Sequence, residues 1–454
     1  MGVTLQDDCE VLIIGGGLTG LTAAVLLHEA GHSVIVVEAA ARLGGRVHSL
    51  RDRVSNAYLA DLGPTWIWPE AQPFATRWMQ ELDLELTPQF DKGDSIIDVT
   101  IDASPVRHQL PGMDGSYRVE GGTTAIVERL ARRLPASAIL TGVRVIGVSS
   151  EAGSIQVTTD NATLPVFRPH RVVVTTPLRV AASSIVWSPA LDSRIIHLME
   201  ATPTWTAAQA KAIAVYNKPF WRVRGLSGRI ASRVGPLVDA HDHSGALGDP
   251  AALFGFIGWP RQVRLVNAST LQSAIVAQLV RCFGEDARTP DYFCIEDWAE
   301  NAFVCAPLDV AEPPQHPKLA PSLLRKPLWA DRVFLAVAEL ATVSPGLIEG
   351  AFHIGSEVAR KVSVSTAVEK PARWRRKSLP VLVGFPCSVS VVRTFGATRG
   401  VDSRSVGLVW GLMLGGELAV LQSPMLDGLS FDSFTLFDDG WCPAEVGIGG
   451  RHVA

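Results

Sequence analysis

Gly15, Gly17 and Gly20 make a G-x-G-x-x-G spacing near the start of the chain, and Glu38 lies 18 positions beyond Gly20, 38 minus 20. That combination does chemistry with a dinucleotide. Gly15 permits a tight turn, Gly17 lets backbone approach a pyrophosphate, and Gly20 lets a helix pack on a strand. The N–H groups of the helix's first turn meet the anion, and Glu38 accepts hydrogen bonds from a ribose. A second candidate is Lys211, inside the apolar run AKAIAVY, where an ammonium is costly to bury without a partner. Asp239, His241, Asp242 and His243 have the types of metal ligands, but they read as a polar loop and no metal is expected. The six cysteines, Cys9, Cys282, Cys294, Cys305, Cys387 and Cys442, are scattered with no C-x-x-C, which indicates neither a zinc site nor a disulfide framework.

The elements that must position these groups are legible in part. Val11 to Ile14 is short, apolar and β-branched, as in a buried parallel strand. The apolar face of Leu21, Ala24, Val25 and Leu27 predicts a helix running to Gly31, and a second strand covers Ser33 to Val37. Further helices are expected over Thr76 to Leu86, Thr124 to Leu134 and Leu271 to Phe283. Ile139 to Val148 alternates as a strand does, and Val172 to Val180 is an apolar strand ending in Thr-Thr-Pro. Between Pro88 and Tyr117 the chain is polar and broken by proline and glycine.

The residues just after Glu38 select the dinucleotide by resemblance. Arg42, Gly44, Gly45 and Arg46 form RLGGR, which resembles the second phosphate-contacting loop of FAD enzymes in the flavin monoamine oxidase family. The usual basic residue two after the acid is Ala40 here, which leaves Arg42 and Arg46 to meet the negative charge. Asp61, Gly63, Pro64, Thr65 and Trp66 resemble the segment in which backbone passes the flavin, with Trp66 and Trp68 beside the pocket, and Val143 matches the position whose backbone meets the adenine. Lys211, with Pro219-Phe220-Trp221 after it, resembles the lysine that holds a water against the flavin N5 atom. Glu339 and the run Gly346, Leu347, Ile348, Glu349, Gly350, Ala351 keep the frame of the closing FAD segment, where a helix N-terminus points at the flavin pyrimidine. Three departures stand out. Val337 and Ala338 replace glycine and threonine, with Val337 placed to crowd the cofactor, and Leu347 replaces the aromatic beside the substrate amine, a cation–π contribution of about 0.5 to 2 kcal/mol. Cys305 falls short of the cysteine that attaches flavin covalently in some relatives, so non-covalent FAD is expected.

The resemblance implies an α/β fold in which a Rossmann-like FAD-binding domain is interleaved with an α+β substrate domain, as in glutathione reductase and the amine oxidases. On that plan 1–62, 118–180 and 326–361 bind FAD, 63–117 is a substrate-domain segment and linker, 181–325 is the substrate domain, and 362–454 is an atypical tail. It also implies oxidation of a small-molecule amine by hydride transfer to flavin, with oxygen as acceptor, hydrogen peroxide and an imine as products, and Lys211 as the catalytic residue. Two other readings stay open: a flavin dehydrogenase or desaturase of a biosynthetic intermediate, and a degenerate flavoprotein without turnover.

Composition agrees with a large globular protein: 454 residues, 47% hydrophobic, net charge −4, which gives no reason to expect nucleic acid. The N-terminus reaches the first strand within ten residues and carries Asp7 and Asp8, so a cytoplasmic protein without a secretory signal is expected. A homodimer stays open. The resemblance ends near Arg360. Beyond it come a basic cluster (Lys370, Arg373, Arg375, Arg376, Lys377), an apolar run with Pro380 and Pro386 that is shorter than the roughly twenty residues of a spanning helix, and a second apolar run from Val406 to Leu421. No membrane partner is expected, and the tail reads as a peripheral appendage.

Overall fold

The structure, a computed structural model, describes residues 9–151, 153–313 and 315–369, and the short strands 408–414, 417–423, 435–438 and 442–445. Contacts divide the chain into two units, Met1–Ser365 with Phe437–Cys442, and Thr366–Leu436 with Pro443–Ala454.

In the first unit five parallel strands form a sheet in the order Val333–Leu335, Arg171–Val174, Val11–Ile14, Val34–Glu38, Ile139–Thr141. Val11, Leu12, Ile13, Val172, Val173 and Val174 are all at 0% exposure, so both faces are covered, and this is why the strands are unbroken apolar runs. The nucleotide helix, Leu18–Glu29, is buried nearly all round, Thr19 and Thr22 included, rather than on one face. Its outer side meets the closing helix, Ile348–Glu369, where Gly355 lies so close that a Cβ would come 2.8 Å from the Thr19 carbonyl oxygen. The closing helix continues through residue 361, past the expected domain boundary.

Two expected strands are each cut short. Ile139 to Val148 is two strands, Ile139–Thr141 in the parallel sheet and Val145–Glu151 in a separate four-stranded sheet, because Gly142 turns the chain with φ 69° between them. Val172 to Val180 is a strand only to Val174, and Pro177 then opens the helix Leu178–Ser184. The helix expected over 76–86 is Pro73–Glu81, closed where Asp83 takes φ 52°.

A seven-stranded sheet carries Lys211. Its order is Tyr292–Asp297, Ala210–Tyr216, Ala251–Ile257, Leu237–Asp242, Leu226–Ser232, Asp94–Asp98, Val106–His108. The polar stretch from Pro88 to Tyr117 thus supplies the last two strands of this sheet, Val106–His108 at its edge. Asp239, His241 and Asp242 lie in a strand antiparallel to Ala251–Ile257, not in a loop. Helix Ala268–Phe283 packs on this sheet through Leu271, Ile275 and Leu279.

In the second unit Leu408–Leu414 pairs antiparallel with Glu417–Ser423, two strands drawn largely from the second apolar run. The basic cluster at 370–377 and the apolar run after it lie outside the described residues. Among the described residues no helix is long and apolar enough to cross a membrane.

Candidate functional site

The three glycines of the first turn have different reasons. Gly15 takes φ 111°, and a Cβ on Gly20 would sit 2.1 Å from the Gly15 carbonyl oxygen, so the protein's own packing requires both. Gly17 is different. It caps the nucleotide helix at φ −75°, and its Cβ would meet nothing closer than the Gly44 carbonyl oxygen at 3.9 Å. The helix has no side-chain cap and no acid in its first turn. Bare backbone, unpaired N–H groups and the positive end of the helix dipole therefore face one space, which fits a pyrophosphate. Gly45, at φ 57°, borders it: its Cβ would stand 3.5 Å from the Gly17 Cα.

Glu38 closes the second strand beside this space. Its Oε2 accepts from the Gly16 amide at 2.7 Å and its Oε1 from the Ala40 amide at 2.8 Å. Burial raises its pKa, with those amides and Arg42 opposing. Each oxygen keeps a lone pair that a ribose hydroxyl fits. Val143 donates its amide to the Glu38 carbonyl at 2.9 Å, so only its carbonyl is left to meet an adenine.

The two arginines do not stand free for phosphate, as the sequence implied. Arg42 donates to the carbonyls of Leu43, Gly45 and Val47 at 3.0–3.1 Å and shapes the RLGGR loop itself. Arg46 forms a two-bond pair with Glu339, at 2.6 and 3.1 Å, and also donates to the Trp205 carbonyl. Glu339 in turn accepts the Trp205 amide at 3.1 Å. This ion pair, spanning 293 positions, ties the glycine loop to the closing segment. Gly346 takes φ 78° and donates its amide to the Ala338 carbonyl, placing Leu347 and Ile348 at the N-terminus of the closing helix. Glu349 accepts the amides of Phe74 and Ala75 and so caps the helix Pro73–Glu81. Val337 and Ala338 are 2% and 5% exposed and belong to the apolar core around the parallel sheet.

Lys211 is 2% exposed. Its Nζ donates to the Gly63 carbonyl at 3.1 Å and to Thr65 Oγ1 at 2.6 Å, and lies 4.0 Å from the centre of the Phe254 ring. Burial pulls its pKa down to about 7, Asp61 opposing and Arg118 adding to the fall. Gly63 is fixed by a close crossing, where a Cβ would come 2.1 Å from the Arg46 carbonyl oxygen. Pro64 accepts from Thr123 Oγ1 at 3.3 Å. Trp66 packs on His241 and Phe254, with ring centres 4.9 and 5.4 Å apart, and donates to Gln89, while Trp68 lies 6.1 Å from Trp66. An aromatic wall thus continues from the lysine.

Behind the lysine lies a polar network with no local signature. Asp61, at 0% exposure, accepts from Ser49 Oγ, from the Thr123 amide and hydroxyl, and from Tyr58. Its own amide donates to His243 Nε2 at 2.9 Å. That ring is therefore neutral with its proton on Nδ1, and burial lowers its pKa to about 4. The four residues resembling metal ligands all have other partners. Asp242 accepts two bonds from Arg222 and one from Trp221, and His241 lies 2.9 Å from Asp239. Cys305 is buried with a thiol pushed up to about 12, which suits packing rather than nucleophilic attachment of a cofactor.

The flavin containing amine oxidoreductase family profile matches residues 18–113 and 100–363. The chain belongs to that family. A probable flavin-containing monoamine oxidase A of Dictyostelium discoideum is 23% identical over 464 residues, 78% of this chain and 97% of that one. The flavin-containing amine oxidase B of Rattus norvegicus is 41% identical over 81 residues, 18% of this chain and 15% of that one. The solved cyclohexylamine oxidase from Brevibacterium oxydans IH-35A has the same fold, with a TM-score of 0.67 at 19% identity over 79% of this chain and 100% of that one. As a member of the family the protein is an FAD-dependent oxidoreductase, and the bare glycine cradle with its uncapped helix fits that cofactor.

Proposed function

We propose that the protein oxidises an amine, with FAD bound along the parallel sheet and the substrate held against the seven-stranded sheet. The bond from Lys211 to Gly63 and Thr65 carries this reading, because it sets the lysine against the segment where the family's backbone passes the flavin. Gly17, Gly45 and the nucleotide helix would hold the pyrophosphate, Glu38 the ribose, and the Val143 carbonyl the adenine. Gly63, Pro64, Thr65 and Trp66 would flank the flavin, and Leu347 and Ile348 would present helix N–H groups to its pyrimidine. Gly15, Gly20, Arg42, Arg46 and Glu339 shape this site from within the protein. FAD held by these residues would supply a hydride acceptor for the carbon next to the amine nitrogen, and with oxygen as the final acceptor the products would be an imine and hydrogen peroxide.

The protein's own groups orient and exclude water. Lys211 uses two N–H bonds on Gly63 and Thr65, which leaves a third to hold one water at a fixed place. Phe254 and Trp66 keep bulk water from that side. The N-terminus of the closing helix supplies partial positive charge where negative charge grows on reduction. The test is stopped-flow reoxidation of the reduced enzyme with a hydrogen peroxide assay. Lys211→Met should slow the oxygen step while FAD stays bound, and unchanged reoxidation would remove Lys211 from this role.

A further inference from the structure

One row of side chains crosses the seven-stranded sheet in register with Lys211. Lys211 pairs with Phe256 on the next strand, and Phe256 pairs with Asp239 on the strand after that. Side chains directly opposite one another in an antiparallel pair stand on the same face, so all three face the way the lysine does. The packing agrees. The centre of the Phe256 ring lies 5.8 Å from Lys211 Nζ and 5.5 Å from the centre of the Phe254 ring. His241, two residues beyond Asp239 and so on the same face, stacks on Phe254 at 5.4 Å, and its Nε2 is 2.9 Å from Asp239 Oδ2. Trp66 meets the same imidazole with ring centres 4.9 Å apart.

A carboxylate on such an aromatic wall is unfavourable unless it meets positive charge. The Asp239 side chain nevertheless keeps 28% exposure where that of His241 keeps 3%, and among the described residues only its Oδ2 has a hydrogen-bond partner. Its other oxygen is free to take a donor. Strands about 4.8 Å apart put Asp239 about 10 Å across the sheet from Lys211, with the Phe256 ring between them. A carbon chain suits that ring, and a cation suits both the ring face and the acid beyond it.

We propose that Asp239 binds a second ammonium group of the substrate, so that the amine oxidised is a diamine whose carbon chain crosses Phe256. This names the substrate class of the oxidation proposed above and rests on that reading. One nitrogen, neutral, presents its neighbouring carbon to the cofactor beside Lys211. The other stays an ammonium throughout and exchanges no proton, hydride or bond. Glu296 pairs with Lys211 on the opposite side, but it stands one strand from the lysine, too near for a chain to lie between, and is 3.3 Å from His48.

The experiment compares two amines of one chain length, hexylamine with one nitrogen and hexamethylenediamine with two, by steady-state oxidation, anaerobic bleaching of the flavin and thermal unfolding of the FAD-loaded protein. The parent should prefer the diamine in kcat/KM and gain more thermal stability from it. Asp239→Asn should lower kcat/KM for the diamine about tenfold or more, the worth of a hydrogen bond to a charged group, and leave hexylamine level or better. Asp239→Lys should reverse the sign, rejecting the diamine and accepting ε-aminocaproate, whose far end is a carboxylate. Glu296→Gln should keep the parent's preference. A general loosening of the site would weaken both amines together, so the split between them is the signature. A parent that takes both amines alike, or a preference that survives Asp239→Asn, overturns the proposal. If neither amine bleaches the flavin, amine oxidation fails and thermal unfolding decides the rest. Stabilisation by the diamine that Asp239→Asn abolishes would keep the subsite, and its absence in the parent would overturn it.

Discussion

Gly17→Ala separates the needs of the fold from the needs of the ligand. A Cβ there is 3.9 Å from its nearest neighbour in the protein, and φ −75° suits alanine. The loss of a good helix cap and the gain in chain stiffness oppose each other, so the protein without cofactor should keep its stability to within about 1 kcal/mol. A methyl group in the path of a pyrophosphate is another matter. Overpacking of one methyl group costs about 1–3 kcal/mol, which is about a 5- to 150-fold weaker FAD Kd. Gly20→Ala is the contrast, because its Cβ would stand 2.1 Å from the Gly15 carbonyl oxygen and must move backbone. It should destabilise the protein whether or not FAD is present. The assay is thermal unfolding of both apoproteins, and then FAD titration read by flavin fluorescence. Gly17→Ala binding FAD as tightly as the parent would refute the assignment of that space to the pyrophosphate.

Glu339→Gln should cost about 2–3 kcal/mol, below the range for a fully buried pair because the Arg46 side chain is 22% exposed, and should weaken FAD retention; chemical denaturation and dialysis measure the two effects. Acid precipitation should release all the flavin into the supernatant, from the parent and from Cys305→Ser alike, and flavin retained on the pellet would contradict the reading of Cys305. Lys211, with its pKa lowered from 10.5 to about 7, binds its proton less well folded than unfolded, so stability should rise with pH between those values. Relative to Lys211→Met, the parent should therefore gain up to a few kcal/mol between pH 7 and 10.5 in urea unfolding, because a pKa difference of one between the two states is worth about 1.36 kcal/mol.

The glycine turn, its strands and the place of Glu38 at the end of the second strand were legible because their signals are local. The polar network was not. His241, Asp242 and His243 look like a loop because their composition is polar, yet the first two end a strand, and Arg222 meets Asp242 and the Asp61 amide meets His243 from elsewhere in the chain. Arg46 looked free for phosphate because Glu339 is 293 positions away. Strand Val106–His108 was hidden because an edge position buries little, and Val106, Arg107 and His108 are all exposed, while Asp94–Asp98 was hidden because its apolar core is only Ile96 and Ile97 between aspartates. Gly142 was visible as a residue, but only its φ of 69° tells that the chain leaves one sheet for another there.

The most direct test of the central claim is the visible spectrum of the purified full-length protein, kept anaerobic, before and after a panel of primary, secondary and amino-acid amines. An FAD-dependent amine oxidase predicts a flavin band that bleaches with at least one amine and returns when air is admitted. A flavin band that no amine bleaches would contradict amine oxidation, and a protein with no flavin band would contradict the cofactor site as well.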